Sequence, residues 1–246
     1  MVCFYFDRMY CNWYSILYGK IKKEIFSVKG LIIMIKKLKS FVEDLAAIEV
    51  TPNVYNQYSY EYKESSIRRD NLLIYLKQMY ELKPKIMIVG EAPGYRGSRL
   101  TGVPFTSEHL LVNNMDGLDL FGMDKGYRLA YPKEKLLKEA TATIIWNTLL
   151  QYDIKALSWN AFPFHPHKKD DEESNRTPLK SELLIGEKPL LQMIEMFEIK
   201  KVIAIGNKAE ESLNKIGIDC YKVRHPAQGG KNEFVEGIRK FGEMFG

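Results

Sequence analysis

Short apolar runs alternate with amphipathic stretches along most of this chain. The runs lie at 85–89, 156–159, 201–205 and 219–223, and each leads into a loop with glycine or unusual polar residues. Between them, apolar residues recur three and four positions apart, which is typical of helices. Alternating strands and helices favour an α/β fold with a largely parallel sheet covered on both faces. The predicted helices cover 36–48, 66–81, 134–150, 181–197 (interrupted at Gly186 and Pro189), 209–216 and 233–241.

The opening of the chain differs from the rest. Residues 1–33 mix aromatic and charged side chains, and the longest early apolar run, 30–35, is far shorter than a membrane span. The segment also lacks the apolar core and cleavage site of a signal peptide. We therefore predict one domain over 34–246, preceded by an accessory or poorly ordered segment over 1–33, and no membrane partner.

Composition excludes several classes of protein and leaves a folded domain. The chain has 246 residues, of which 46% are hydrophobic and 27% charged, so it is not a disordered, collagen-like or disulfide-stapled protein. The net charge of +5 permits a polyanionic partner without requiring one. Cys3, Cys11 and Cys220 are too few for a disulfide framework or for the four ligands of an iron–sulfur cluster. We expect a reducing, cytoplasmic location.

Three chemically useful side chains follow predicted strands. The first loop reads Gly-Glu-Ala-Pro-Gly at 90–94, Asn160 follows the second strand, and His225 follows the last. Because ligands bind outside the carboxyl ends of strands in open parallel sheets, we expect Glu91, Asn160 and His225 to meet in one crevice. Each residue alone has a simpler interpretation. Glu91 could lie in a solvated turn, Asn160 could hydrogen-bond to its own backbone, and His225 could be a capping residue.

Other positions suit a nucleic acid. Phe105, on a rigid proline turn, either stacks on a base or belongs to the core. Arg176 precedes a predicted helix, where it suits a phosphate. Gln228 and Lys231 belong to a glycine-rich loop that suits a nucleic-acid groove.

A His-x-His sequence at 165–167 precedes an acidic run. A metal site is conceivable there, but the acidic run is more simply a solvated loop. We therefore predict no metal site.

Taken in order, these motifs resemble the uracil-DNA glycosylase superfamily, above all its thermostable family 4 type branch. The resemblance covers about 85–241 and implies a three-layer αβα sandwich with a mostly parallel four-stranded central sheet. It implies a hydrolase that excises uracil or a related deaminated base flipped out of DNA, acting without a cofactor, and we expect a monomer. The motifs are Gly-Glu-Ala-Pro-Gly at 90–94, Gly-x-Pro-Phe at 102–105, Asn160 after a strand, Asn-Arg-Thr-Pro at 175–178, Val-Ile-Ala-Ile-Gly at 202–206 and His-Pro at 225–226.

The resemblance also implies a role for each matched residue. Glu91 resembles the carboxylate of the water-activating motif, and His225 resembles the group that stabilises the departing base. Phe105 resembles the ring that stacks on the base, and Asn160 the residue that reads uracil. The matched base-binding set also includes Gly90 and Ala92, and the expected DNA contacts are Arg176, Gln228 and Lys231.

The chain departs from the family pattern at the cluster ligands. Phe164 and Gly186 stand where the similar branch carries cysteines, so we predict no iron–sulfur cluster. Ala92 stands where the best-known branch has a water-activating aspartate. Activation of water would then depend on Glu91 or on ionisation of the substrate.

A further departure concerns selectivity for the base. Gly94 stands where the best-known branch carries the tyrosine that excludes thymine, and Tyr95 is the neighbouring substitute. These departures keep open a second hypothesis, a catalytically silent module that binds nucleic acid or a base. A flavodoxin-like nucleotide-binding enzyme is a third, which the lack of a phosphate-cradling glycine loop disfavours.

Overall fold

The structure is a computed structural model that describes residues 29–132 and 134–245. The chain divides into two compact units, Met1–Ser40 and Phe41–Gly246. The first described helix, α1, spans 29–47 and contains Met34, where we expected the domain to begin. The accessory segment expected over 1–33 lies mostly outside the described residues, so that boundary stays a prediction.

After α1, helices and strands alternate as the hydrophobic pattern predicts. In chain order the elements are β1 (Val54–Tyr55), α2 (Ser65–Leu82), β2 (Ile86–Gly90), α3 (Ser98–Thr101), α4 (Glu108–Asn113), a 3-10 helix (Met123–Lys125), α5 (Ala140–Gln151), β3 (Ala156–Asn160), β4 (His165–Pro166), α6 (Lys180–Met196), β5 (Lys201–Ile205), α7 (Asn207–Lys215), β6 (Tyr221–Val223) and α8 (Lys231–Phe245).

Four parallel strands in the order β3-β2-β5-β6 form the central sheet. Residues such as Met87 and Ile203 are fully buried, as expected for strands covered on both faces. Helices flank the sheet: α7 and α8 contact β5 and β6. On α2, the Tyr75 hydroxyl lies 2.8 Å from the Ser158 hydroxyl of β3. This is the three-layer αβα arrangement that the resemblance implies.

The parallel topology brings the predicted strand-end loops to one edge of the sheet. Gly90, the last residue of β2, is the register partner of Asn160, the last residue of β3. Gly206 follows β5 directly, and its N–H donates to the carbonyl of Val223 at the end of β6, at 2.8 Å. The loops that carry Glu91, Asn160 and His225 therefore leave the sheet side by side.

Several predicted helix limits were wrong, for example the start of α1 at 29 rather than 36, and the differences in α5 and α6 have clear physical causes. Helix α5 begins at Ala140 rather than 134, because the Glu139 carboxylate caps it by accepting hydrogen bonds from the Thr141 and Ala142 N–H groups. Helix α6 runs without the interruption expected at Gly186 and Pro189. The missing side chain of Gly186 instead lets α6 pack directly against the backbone after β3.

A second, two-stranded sheet was not predicted from the sequence. Strand β1 pairs antiparallel with β4, so that Val54 lies opposite Pro166 and Tyr55 opposite His165. Both strands have only two residues, too short for a period-two pattern to be recognised. The pairing anchors the segment 165–177 beside the loops at the sheet edge.

Candidate functional site

A pocket of about 740 Å³ opens at the carboxyl edge of the central sheet. Eight of the nine site residues predicted from the sequence line it, and Lys231 is the exception. The walls come from the loops after β2, β4, β5 and β6, together with the end of β3, the segment between α3 and α4, and the start of α5. The predicted residues in the wall are Gly90, Glu91, Ala92, Phe105, Asn160, Arg176, His225 and Gln228.

The ring of Phe105 and the amide of Asn160 meet beside Gly90. A Cβ atom on residue 90 would lie 2.6 Å from Phe105 Cζ and 2.8 Å from Asn160 Oδ1. Only glycine allows this close approach. The Asn160 side chain is buried, yet its amide makes no hydrogen bond within the part of the chain that the structure describes. An aromatic face and an unused amide are therefore both presented to the pocket.

The backbone of Phe105 is held in an unusual conformation. Its φ of +51° lies in the left-handed region, which costs energy for any residue with a side chain. The indole Nε1–H of Trp146 on α5 donates to the Phe105 carbonyl at 2.8 Å. This long-range bond helps to fix the ring where the sequence allowed either a stacking or a core position.

Glu91 is partly buried at the pocket wall. Burial raises the pKa of its carboxyl above the ordinary value, whereas a bond from the Thr177 side chain and the charge of Lys208 oppose that shift. Its Oε1 atom is buried without a hydrogen-bond partner among residues 29–132 and 134–245. A buried carboxylate oxygen with an unused lone pair is suited to bind a water or a ligand.

The hydrogen bonds of His225 define its tautomer. Its Nδ1 accepts a hydrogen bond from the Ala227 N–H at 3.1 Å, so the neutral ring carries its proton on Nε2. Burial, and then the charge of Arg224, lower the pKa of the ring, which favours this neutral form. Gly206 lies against the base of the His225 side chain: a Cβ on residue 206 would be 3.3 Å from the Cβ of His225.

Arg176 does not have the free guanidinium that the phosphate contact required. Its Nε donates to the His167 carbonyl, and its two terminal nitrogens donate to backbone carbonyls and bidentately to the Glu182 carboxylate. These contacts account for all five N–H donors of an arginine. These contacts indicate a structural role for Arg176, and its expected DNA contact stays a prediction.

The other two expected DNA contacts remain exposed. Gln228 lies at the pocket wall with a φ of +53°, and Lys231 is the first residue of α8, outside the pocket. Both therefore stay available to a phosphate or a groove. Their roles stay predictions.

The sequence reasoning missed Glu139 in the pocket wall and the contact between the segment 165–177 and the loop after β2, although it predicted Arg176 of that segment as a site residue. Glu139 lines the pocket as the cap of α5, and an acidic residue before a helix was the available signal. The segment 165–177 touches the loop after β2, but nothing in its local pattern indicates this. Asn175, for example, accepts a hydrogen bond from the Tyr95 N–H at 3.0 Å.

Within the described ranges, no three His, Cys, Asp or Glu side chains are grouped to hold a metal ion, and none of the helices is long and apolar enough to span a bilayer. Cys220 is a free cysteine, whereas Cys3 and Cys11 lie outside the described residues.

The chain matches the model of a known protein family and resembles a solved structure. The model of the uracil DNA glycosylase superfamily matches residues 77–243, a range that contains every residue lining the pocket. Among solved structures, the chain is similar to wild-type SMUG2 of Pedobacter heparinus, with a TM-score of 0.57 and 18% identity over 86% of this chain and 96% of that one. At that identity the likeness concerns the fold alone. No curated protein matches the sequence.

Proposed function

The chain belongs to the uracil DNA glycosylase superfamily, and on that premise we propose that it is a DNA-repair hydrolase. Its proposed reaction is cleavage of the N-glycosidic bond of uracil, or a related deaminated base, flipped out of DNA. One observation carries this proposal: Glu91, Asn160 and His225 line a single pocket at the carboxyl edge of the sheet.

The pocket suits an extruded base. A base inside a duplex cannot be reached, so it must be rotated out at a cost of a few kcal/mol, which is smallest for mismatched bases. Stacking on the Phe105 ring would offset this cost by about 1–3 kcal/mol. The unused amide of Asn160 offers one acceptor and two donors, which can pair with the polar edge of a pyrimidine.

The two ionisable groups suit the charges that develop during cleavage. As the bond breaks, the sugar gains positive charge and the departing base gains negative charge. The Nε2–H of neutral His225 would donate to the base anion, and one such preorganised donor contributes about 3–4 kcal/mol. The ionised carboxylate of Glu91 would stabilise the positive charge on the sugar. It would also accept the proton of the water whose oxygen bonds to the sugar carbon.

The proposal is tested with a duplex that contains a single uracil, followed by detection of alkali-labile abasic sites. We expect Glu91→Ala and Asn160→Ala each to lower single-turnover excision at least about 100-fold, with DNA affinity nearly unchanged. Glu233→Gln, an exposed change on α8, is the matched control. Wild-type rates in both pocket variants would refute these roles.

A catalytically silent base-binding module on the same fold is the second candidate. Ala92 favours it, because this residue lines the pocket without offering a group that accepts a proton. Binding of damaged duplex without cleavage of uracil, hypoxanthine or xanthine would select this candidate over the enzyme.

A further inference from the structure

His165 is a fully buried histidine that the proposed chemistry does not use. Its Nδ1 lies 2.8 Å from the carbonyl oxygen of Pro93, and its Nε2 lies 3.0 Å from the carbonyl oxygen of Glu172. Carbonyl oxygens only accept hydrogen bonds, so a neutral ring can satisfy one of the two. Which nitrogen carries the proton therefore decides which segment the ring holds.

The surroundings favour the proton on Nδ1. The contact with Pro93 is the shorter one and is buried, whereas the contact with Glu172 is partly open to water. A buried carbonyl without a donor costs more than one that water can reach. Burial lowers the pKa of the ring against the opposing effect of the two carbonyls, and the charges of Arg99 and His167 lower it further. The ring is therefore neutral at neutral pH.

Pro93 lies two residues after Glu91 in the loop that presents the carboxylate. The start of this loop is fixed by the residues that follow β3, because the Ala161 and Phe162 N–H groups donate to the carbonyls of Gly90 and Glu91 at 2.8 and 3.0 Å. Proline has no N–H, so its carbonyl is the one backbone group through which residue 93 can be held. The His165 ring supplies a donor for this carbonyl, two residues beyond Glu91 in the loop.

The segment that contains His165 also contacts the Glu91 loop at other points. We call residues 165–177 the clasp. Besides His165, it contacts the loop through Asn175 Oδ1, which accepts from the Tyr95 N–H at 3.0 Å, and through the Thr177 side chain, which bonds to the Glu91 carboxylate. It also holds α3, which follows the loop directly, because Arg99 Nη2 donates to Glu172 Oε2 at 2.6 Å.

We propose that His165 is a positioning residue: its Nδ1–H donates to the Pro93 carbonyl and so holds the Glu91 carboxylate in the pocket. The consequence for excision rests on the proposed function, whereas the hydrogen bond itself does not. The neutral tautomer with the proton on Nδ1 is therefore a property of the folded protein whether or not it is an enzyme.

Two isosteric variants separate positioning from a merely structural role. The amide nitrogen of Asn in His165→Asn takes the place of Nδ1, and that of Gln in His165→Gln takes the place of Nε2. Each variant keeps one of the two hydrogen bonds. Because His165→Gln leaves the buried Pro93 carbonyl without a donor, we expect it to melt at a lower temperature than His165→Asn, and excision is compared well below both melting temperatures. We expect His165→Asn to keep most of the single-turnover excision rate and His165→Gln to lose about 10- to 100-fold. Equal losses in the two variants would overturn the proposal.

The pKa of the Glu91 carboxyl, measured by carbon-13 NMR, is the second measurement. We expect it to stay raised in wild type and in His165→Asn, and to move towards the ordinary value in His165→Gln as the loop relaxes into water. An unchanged pKa in His165→Gln would contradict the positioning role.

A third measurement needs no substitution. The nitrogen-15 shifts of the His165 ring in the wild-type protein are expected to report a proton on Nδ1, and a proton on Nε2 alone would overturn the proposal even if both variants failed to fold. If the wild-type protein excises no base, the proposed function fails, while the ring shifts and the Glu91 pKa still decide the role of His165.

Discussion

Gly90 and Asn160 end adjacent parallel strands as register partners, and the amide oxygen of Asn160 occupies space that any side chain on residue 90 would need. The ring of Phe105 fills the rest of that space. The glycine therefore does more than permit a turn after the strand. Because residue 90 has no side chain, the aromatic ring and the amide can come together at the pocket wall.

Gly90→Ala should abolish most of the activity without unfolding the protein. Its Cβ would lie 2.6 Å from Phe105 and 2.8 Å from Asn160, so both groups must move. We expect single-turnover excision to fall at least about 100-fold, because displacement of a positioned group by about 1 Å has that effect. Gly242→Ala is the control, since its Cβ would make an ordinary contact of 3.7 Å with Ile154. Equal rates in the two variants would contradict this account.

The excision rate should fall as the solution becomes acidic. The proposed mechanism needs Glu91 ionised and His225 neutral. Burial raises the pKa of Glu91 above its ordinary value of 4.5 and lowers the pKa of His225 below its ordinary value of 6.5. Both groups lose their active form on protonation, so a single-turnover pH profile should show an acid limb that leads to a plateau on its alkaline side.

In Glu91→Gln, the pH dependence of the remaining excision rate should reflect one ionisation only, that of His225. A wild-type profile that instead rises on acidification would require a protonated group in the reaction and would rule out this assignment.

Trp146→Phe should impair the site through the backbone of Phe105. The change removes the indole donor to the Phe105 carbonyl, while a phenyl ring retains much of the edge contact with Phe121. We expect a loss of about 0.5–1.5 kcal/mol in unfolding free energy together with slower excision. Trp159→Phe is the matched control, because the Trp159 indole N–H has no partner among the described residues. An effect of Trp159→Phe on excision equal to that of Trp146→Phe would count against the role of the hydrogen bond.

Arg176→Ala should change stability rather than DNA binding. The substitution leaves the Glu182 carboxylate, which is 1% exposed, without its bidentate partner. Breaking a buried pair in this way costs about 3–5 kcal/mol, which a denaturant titration measures. Arg239→Ala, at a surface ion pair on α8, is the control that should change stability little. A marked loss of DNA affinity with unchanged stability would support the phosphate contact instead.

Lys231→Ala should change DNA binding rather than stability. Its side chain is exposed at the start of α8, so its removal leaves no buried group unpaired. If it contacts a phosphate, the slope of log affinity against log salt concentration should fall by about 1 while unfolding is unaffected. An unchanged slope would remove Lys231 from the DNA interface.

The sequence determined the sheet and the position of the chemistry along it. Apolar runs marked the four central strands, and the residues after them are set by the chain itself. Once the strands are parallel, their carboxyl ends share one edge, so Glu91, Asn160 and His225 had to lie near each other. The family motifs were visible for the same reason, because each is a short stretch of consecutive residues.

Only the tertiary structure decided how those side chains are held. The His165–Pro93 contact joins residues 72 apart, and Trp146 reaches the Phe105 carbonyl across 41 residues. The sequence suggested a phosphate contact for Arg176, and only the folded chain shows that its terminal nitrogens donate to Glu182 and to the backbone of Asn53, just before β1. Hydrophobic periodicity records which face of an element is buried, but a hydrogen bond between distant segments depends on their relative placement in the folded chain. The local pattern therefore locates the pocket, and packing defines its chemistry.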